Sequence, residues 1–255
     1  MDSKKNLQIT NTGLFSIQFL LLSMITCLCF SKAHSQNNSY IYTGYSIETF
    51  KDNAPLERII NDFNAHYVTP TFDVTKSLKI PNILKGIAIG TKMNTGHLSG
   101  GIDLHFHRWT SVAKGNDSLG TYYFRKVYVT HNGFCGYLTF NIINARSFRA
   151  GPGFTFNIDQ FYCKFKDNGG PYYKPTSPVD KFLLSSSLRF ALSFGGPRFN
   201  FDIIPYYMIP FWKVNVQNMN EKLNNSYAKS YSKDEMTLSP ANFGCLMNLC
   251  FGMQR

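Results

Sequence analysis

The chain is poor in charge: Asp, Glu, Lys and Arg supply 16% of its 255 residues, where soluble domains carry about 25%. A surface meant for water on all sides would want more. No Cys-x-x-Cys spacing occurs, which removes the usual support for a structural zinc site. Also missing are a Walker loop, a Gly-x-Ser-x-Gly elbow and a His-Glu-x-x-His pair, so phosphoryl transfer, α/β-hydrolase chemistry and zinc proteolysis have no motif to rest on. No Ser/Pro linker or internal repeat divides the chain, and no apolar run beyond residue 35 is long enough for a membrane helix. The formal charge of +11 is dispersed. A nucleic-acid reader would gather its Lys and Arg on one helix or stripe, so nucleic acid is not an expected partner and anionic lipid headgroups fit better.

The chain opens on an export signal. Lys4 and Lys5 precede an apolar run from Leu14 to Phe30, and Ala33-His34-Ser35 supplies the small residues a signal peptidase accepts. Residues 1–35 are therefore expected to be a cleaved signal peptide, and 36–255 one mature domain beginning at Gln36. Cys27 and Cys29 sit inside the signal without a lipoprotein pattern. Cys135, Cys163, Cys245 and Cys250 remain; Cys245 and Cys250 are an odd number of residues apart on one strand, face opposite sides and should not bond each other.

Aromatics are plentiful, with 23 Phe and 15 Tyr, and they fall into eight alternating stretches. Ile41, Tyr45 and Ile47 oppose Tyr42, Gly44, Ser46 and Glu48. Ile87, Ile89 and Met93 oppose Gly86, Ala88, Gly90 and Lys92. Ile102, Leu104 and Phe106 oppose Asp103, His105 and His107, ending at Arg108-Trp109, a pair suited to a membrane interface. The fourth stretch runs from Tyr122 to Ile142; Asn132-Gly133 within it is a strong hairpin signal, but a turn there would make nine strands, so a bulge or change of phase is expected. Four further stretches follow the same rule: Phe154, Phe156 and Ile158 oppose Asp159; Leu188, Phe190 and Leu192 oppose Arg189; Phe199, Phe201 and Ile203 oppose Asp202; Phe243 to Phe251 alternate with Gly244, Asn248 and Gly252. The connectors alternate long, short, long. The first long one should hold a helix near Pro55–Phe63 capped by Asp52 or Asn53; the short ones are turn sequences at Asn94–Gly100, Asn144–Ser147 and Gly195-Gly196-Pro197.

The expected fold is an all-β, eight-stranded antiparallel up-and-down transmembrane β-barrel with long outer loops and short periplasmic turns. Gly151-Pro-Gly-Phe-Thr-Phe-Asn, Arg198-Phe-Asn-Phe-Asp and Asn242-Phe-Gly-Cys-Leu-Met-Asn-Leu-Cys-Phe-Gly look like strands of such barrels. Over Ile41 to Phe251 the chain resembles the small bacterial outer-membrane barrels of the OmpA/OmpX kind. That resemblance implies the bacterial outer membrane as location, outer-membrane lipid as surroundings, and insertion by periplasmic chaperones and the barrel-assembly machinery. It implies no shared activity.

Glu48, Lys92, Asp103, His105, His107, Asp159, Arg189 and Asp202 all fall on the face opposite the apolar residues and are expected to form a packed polar lumen. Leu104, Phe106, Phe156, Phe190 and Phe201 should then face lipid, and Arg189 should pair with Asp103, Asp159 or Asp202. Two histidines at alternate positions could reach one metal ion, and Tyr162, Tyr206, Tyr207, Trp109 and Trp212 could make a sugar platform, but packing and interface roles account for both sets; no catalytic residue, metal or cofactor is assigned. The expected function is non-enzymatic: a structural, adhesion or secretion-associated role through the outer loops or envelope protein partners. Two alternatives are a lipid-modifying hydrolase, for which His107 with Thr110 or Ser111 is the nearest pairing, and a soluble secreted barrel with reversed faces holding an apolar ligand.

Overall fold

The computed structural model describes residues 38–67, 73–116, 120–167, 176–225 and 228–253; residues 1–35, expected to be a cleaved signal peptide, lie outside them. The chain order is β1 (Asn38–Phe50), α1 (Ala54–Tyr67), β2 (Asp73–Lys76), β3 (Leu84–Thr95), β4 (Leu98–Asn116), β5 (Tyr122–Phe140), β6 (Ile143–Asn144), β7 (Phe148–Asp167), β8 (Thr176–Gly195), β9 (Phe199–Pro210), β10 (Val214–Asn215), α2 (Gln217–Asn224), β11 (Thr237–Leu238) and β12 (Asn242–Gly252). Eight of these strands pair with their neighbours in sequence, all antiparallel, and β12 pairs back onto β1 from Tyr40↔Gly252 to Phe50↔Asn242. Over the span in which all eight strands overlap the sheet therefore closes without a free edge, while β8 before Ser185 runs on beyond the end of β9.

Period-two alternation decides which way each side chain points. Outward go Ile41, Ile47, Ile87, Ile89, Phe106, Leu138, Phe154, Phe156, Phe190, Phe199 and Phe251, all exposed. Leu104 and Phe201 share that parity, half-buried by their neighbours. Inward go Tyr42, Glu48, Lys92, Asp103, Asp159, Ser187, Arg189 and Asp202, all buried.

Asn132-Gly133 is neither a turn nor a bulge. The register runs through it unbroken on both sides, with Asn132 opposite Phe106 and Gln160, and Gly133 opposite His105 and Asp159. The reason for the glycine is space: a Cβ at position 133 would collide with Asp159 Oδ1 and His105 Nε2. The turn chemistry lies elsewhere, at the two-residue link Gly96-His97, where Gly96 takes φ +55°.

Part-way along the strands the two faces exchange character. At one end, where the short turns and both end strands meet, the outward face is apolar and the lumen polar. Towards the other end the inward residues become Ala113, Val127, Val129, Phe161, Cys163, Phe165, Val179 and Leu183, all buried, while Arg108, Lys114 and Asp180 are exposed on the outside. This second core is filled by the connectors: Leu56, Ile59, Ile60 and Phe63 of α1, Met219 and Leu223 of α2, and Val214, Val216, Met236 and Leu238 around the small β10–β11 ladder. The helix begins where expected, with Asp52 Oδ1 accepting the Ala54 N–H at 3.0 Å. Arg125, pointing inward from β5, donates to the Leu223 carbonyl at 2.6 Å and stacks over Phe63 and Phe165, fastening α2 to the wall. On the other flank Asp62 of α1 accepts from Lys229 Nζ at 2.6 Å and from the Tyr231 hydroxyl at 2.5 Å.

Trp109 belongs to this core. It packs inward beneath the cap rather than at an outer interface, because position 109 has the parity of His107; Arg108 alone takes the outer position, over the Tyr128 ring at 5.5 Å. Tyr128 and Tyr162 carry Lys126 and Lys164 over their rings at 5.0 and 4.4 Å, and Trp212 is exposed with its Nε1–H on the Phe182 carbonyl.

Candidate functional site in the barrel lumen

Titratable side chains gather where the polar lumen meets the apolar cap. β4 contributes Asp103, His105 and His107; β1 contributes Glu48; β5 contributes His131; β7 contributes Asp159. Asp103 Oδ1 lies 3.4 Å from His105 Nδ1, and His105 Nε2 lies 3.2 Å from Asp159 Oδ1. Asp159 Oδ2 is 3.6 Å from His131 Nε2, His131 Nδ1 is 2.8 Å from Glu48 Oε1, and Glu48 Oε2 is 3.7 Å from His107 Nδ1. The six residues make one chain of alternating carboxylates and imidazoles across four strands. Gly133 makes its middle possible, since only a missing side chain lets His105 on β4 reach past β5 to Asp159 on β7.

Hydroxyls complete the carboxylate contacts. Tyr42 donates to Asp103 Oδ2 at 3.0 Å, Ser185 to Asp159 Oδ2 at 2.7 Å, and Tyr206 to Glu48 Oε2 at 3.3 Å. Glu48, Asp103, Tyr206 and the three histidines line a cavity of about 50 Å³ that Arg189, Cys135, Asn157 and Ser187 also reach. Both ring nitrogens of His107, which is only 2% exposed, lack a hydrogen-bond partner.

The structure thus brings Glu48, Asp103, His105, His107 and Asp159 together and adds His131, which strand reading overlooked. An uninterrupted count back from Tyr137 puts His131 inward; a bulge at Asn132-Gly133 would have turned it out. Lys92 and Asp202 form a separate pair nearer the short-turn end, with Nζ 2.8 and 2.9 Å from the two carboxylate oxygens and 2.8 Å from Ser193 Oγ. Arg189 does point inward but has no carboxylate within 4 Å among the described residues; its guanidinium lies 4.2 Å from the Tyr137 ring centroid, and its Nε is buried without a partner. Lys92 takes the role expected of Arg189 because register, not parity, decides which inward charges meet.

Two other arrangements do not assemble. Ser111 accepts the Lys79 N–H at 2.7 Å and Thr110 faces outward, so neither is hydrogen-bonded to His107. Tyr206 and Trp109 point inward while Trp212 is exposed and Tyr207 packs on Phe243, so the five aromatics share no face. The four described cysteines are free thiols.

Closure of β12 onto β1 decides the architecture. The chain is a closed eight-stranded antiparallel β-barrel. No family model matches it, and no curated protein matches its sequence. Solved structures similar to it include Ail, the attachment invasion locus protein of Yersinia pestis, in complex with the heparin analogue sucrose octasulfate, at 11% identity and a TM-score of 0.39, covering 86% of this chain and 99% of that one. Neisserial surface protein A is similar at 10% identity and a TM-score of 0.39, covering 86% of this chain and 100% of that one. The architecture stated here rests on the strand pairing itself.

Proposed function

We propose that the protein is a non-enzymatic β-barrel of a bacterial outer membrane whose folded cap serves adhesion, envelope structure or secretion. One observation carries this reading: the exchange of the two faces along the strands. An apolar exterior around a hydrogen-bonded polar lumen suits hydrocarbon, whereas a charged exterior around an apolar core suits water, so the same strands are built to leave the membrane part-way along. The collar of Arg108, Lys126 and Lys164 beside Tyr128 and Tyr162 sits at that change of surroundings and fits anionic lipid headgroups. Side chains and the cap fill the interior, which disfavours passage of solutes. The cap is the part left to meet partners in the envelope or outside the cell; insertion would use periplasmic chaperones and the barrel-assembly machinery.

Topology labelling tests it. A cysteine at Lys222 of the cap should react with a membrane-impermeant maleimide on intact cells, and one at Gly196 of a short turn only after the outer membrane is opened. Equal labelling of both on intact cells, or recovery of the protein in the aqueous phase of a detergent extraction, would refute the reading. Replacing 217–238 by a short Gly/Ser link should abolish the partner-dependent role while leaving a heat-modifiable barrel.

A further inference from the structure

We propose that His105, His107 and His131 bind one first-row divalent transition-metal ion, with zinc the best match, Asp159 as the carboxylate ligand, and Asp103 and Glu48 as the groups that orient the imidazoles. The three rings offer nitrogens that all lie within 4.8 Å of one another. Tetrahedral zinc, with bonds of about 2.0–2.1 Å, places its ligand nitrogens roughly 3.4 Å apart, so closing on an ion asks the widest pair to approach by about 1.4 Å.

The carboxylates stand where outer partners of metal-bound histidine stand. Asp103 faces His105 Nδ1 at 3.4 Å and Glu48 faces His131 Nδ1 at 2.8 Å. An Nδ1–H given to a carboxylate leaves Nε2 with its lone pair free. Both Nε2 atoms turn to the same group, Asp159, at 3.2 and 3.6 Å. His107, directly opposite His131 across the β4–β5 ladder, is 2% exposed with neither nitrogen hydrogen-bonded, Glu48 Oε2 standing 3.7 Å from its Nδ1. Buried polar atoms without partners are uncommon in folded proteins and call for a ligand or water. The cavity beside it, about 50 Å³, has room for an ion and a water, whose share of liquid volume is about 30 Å³.

Charge points the same way. Glu48, Asp103 and Asp159 bring three negative charges, Arg189 on the same cavity brings one positive, and Lys92 is already paired with Asp202. Two negative charges are then left for the imidazoles to balance as protonated rings, and a divalent cation can cancel them instead, displacing those protons. Sequence alone displayed two histidines on β4, too few to outweigh a packed polar interior; the third comes from β5 and the carboxylate from β7. The ion would tie those three strands together beneath the cap, and its burial makes exchange slow once the barrel has folded.

The test uses the full chain, exported, extracted folded in detergent without chelator, and assayed by elemental mass spectrometry. One equivalent of zinc per barrel is expected. Barrel refolded from urea with EDTA should carry none, and refolding with Co²⁺ alone should produce visible tetrahedral d–d absorption. His107→Gln and His131→Gln should each lower retained metal by about tenfold or more, and Asp103→Asn by a smaller factor within the roughly 10–100-fold range of outer-partner changes. His97→Gln, at the short turn, should retain full occupancy. Wild-type barrel that shows heat-modifiable folding yet holds no stoichiometric metal after refolding with Zn²⁺ would overturn the proposal whether or not the variants fold; so would metal that persists in both histidine variants.

Discussion

Lys92 is the sharpest place to test the lumen as a stabilising polar core. Its ammonium donates to both oxygens of Asp202 at 2.8 and 2.9 Å and to Ser193 at 2.8 Å, while the two charged side chains are only 5% and 2% exposed. Lys92→Met keeps the length of the stem and removes the charge. Asp202 then retains Ser193 at 2.6 Å and the weak Cys250 thiol at 3.4 Å, neither of which supplies a positive charge. Breaking a buried pair from one side costs about 3–5 kcal/mol, because the remaining ion keeps its desolvation penalty without its partner. Against a total stability of about 5–15 kcal/mol that is a large share. Lys92→Met with Asp202→Asn removes both charges and should recover most of the loss. Equilibrium unfolding by urea in lipid vesicles, followed by tryptophan fluorescence and by heat-modifiable migration, measures both variants. A single variant that loses less than about 1 kcal/mol, the range of an exposed pair, or a double variant no better than the single one, would refute the reasoning.

Three further outcomes follow from the same structure. Phe190→Arg puts a charge on the apolar exterior of β8 and should cost about 2–4 kcal/mol near the membrane midplane, whereas the same change at exposed Thr110, beyond the apolar belt, should cost far less; unfolding in vesicles separates them. Gly133→Ala has to displace Asp159 or His105, so it should destabilise the barrel by about 1–3 kcal/mol, against a near-neutral Gly136→Ala, where a Cβ meets nothing within 4 Å. In the cap, burial and the hydrogen bond to Asp62 raise Tyr231 to about 12. Since the folded state holds this proton more tightly, the contribution is whole below about pH 10 and is lost as pH rises through the folded value; limited proteolysis of the cap should accelerate over that window in wild type, and Tyr231→Phe should remove the dependence.

Much of the barrel was legible because alternation is a local property. Whether Phe190 or Arg189 faces outward depends on a parity that any correct strand displays without reference to its partners. The short links at Gly96-His97 and Gly196 are legible for the same reason, since a tight turn needs its own residue types within a few positions. Asn132-Gly133 misled because local turn chemistry and a packing demand select the same residue; the glycine answers to His105 and Asp159, which approach from β4 and β7.

The order of polar and apolar residues along the chain by itself determined the number of barrel strands, their inward and outward faces and the rim that bears the long connectors. It did so because a pleated strand in hydrocarbon must present apolar atoms outward at every second position. Tertiary structure alone decided that Lys92 rather than Arg189 meets Asp202, that His131 joins His105 and His107, and that α1 and α2 pack over Val127, Phe161 and Leu183. Those contacts join residues tens to more than a hundred positions apart, and their partners are set by strand register and by how the connectors fold back, quantities that no local period encodes.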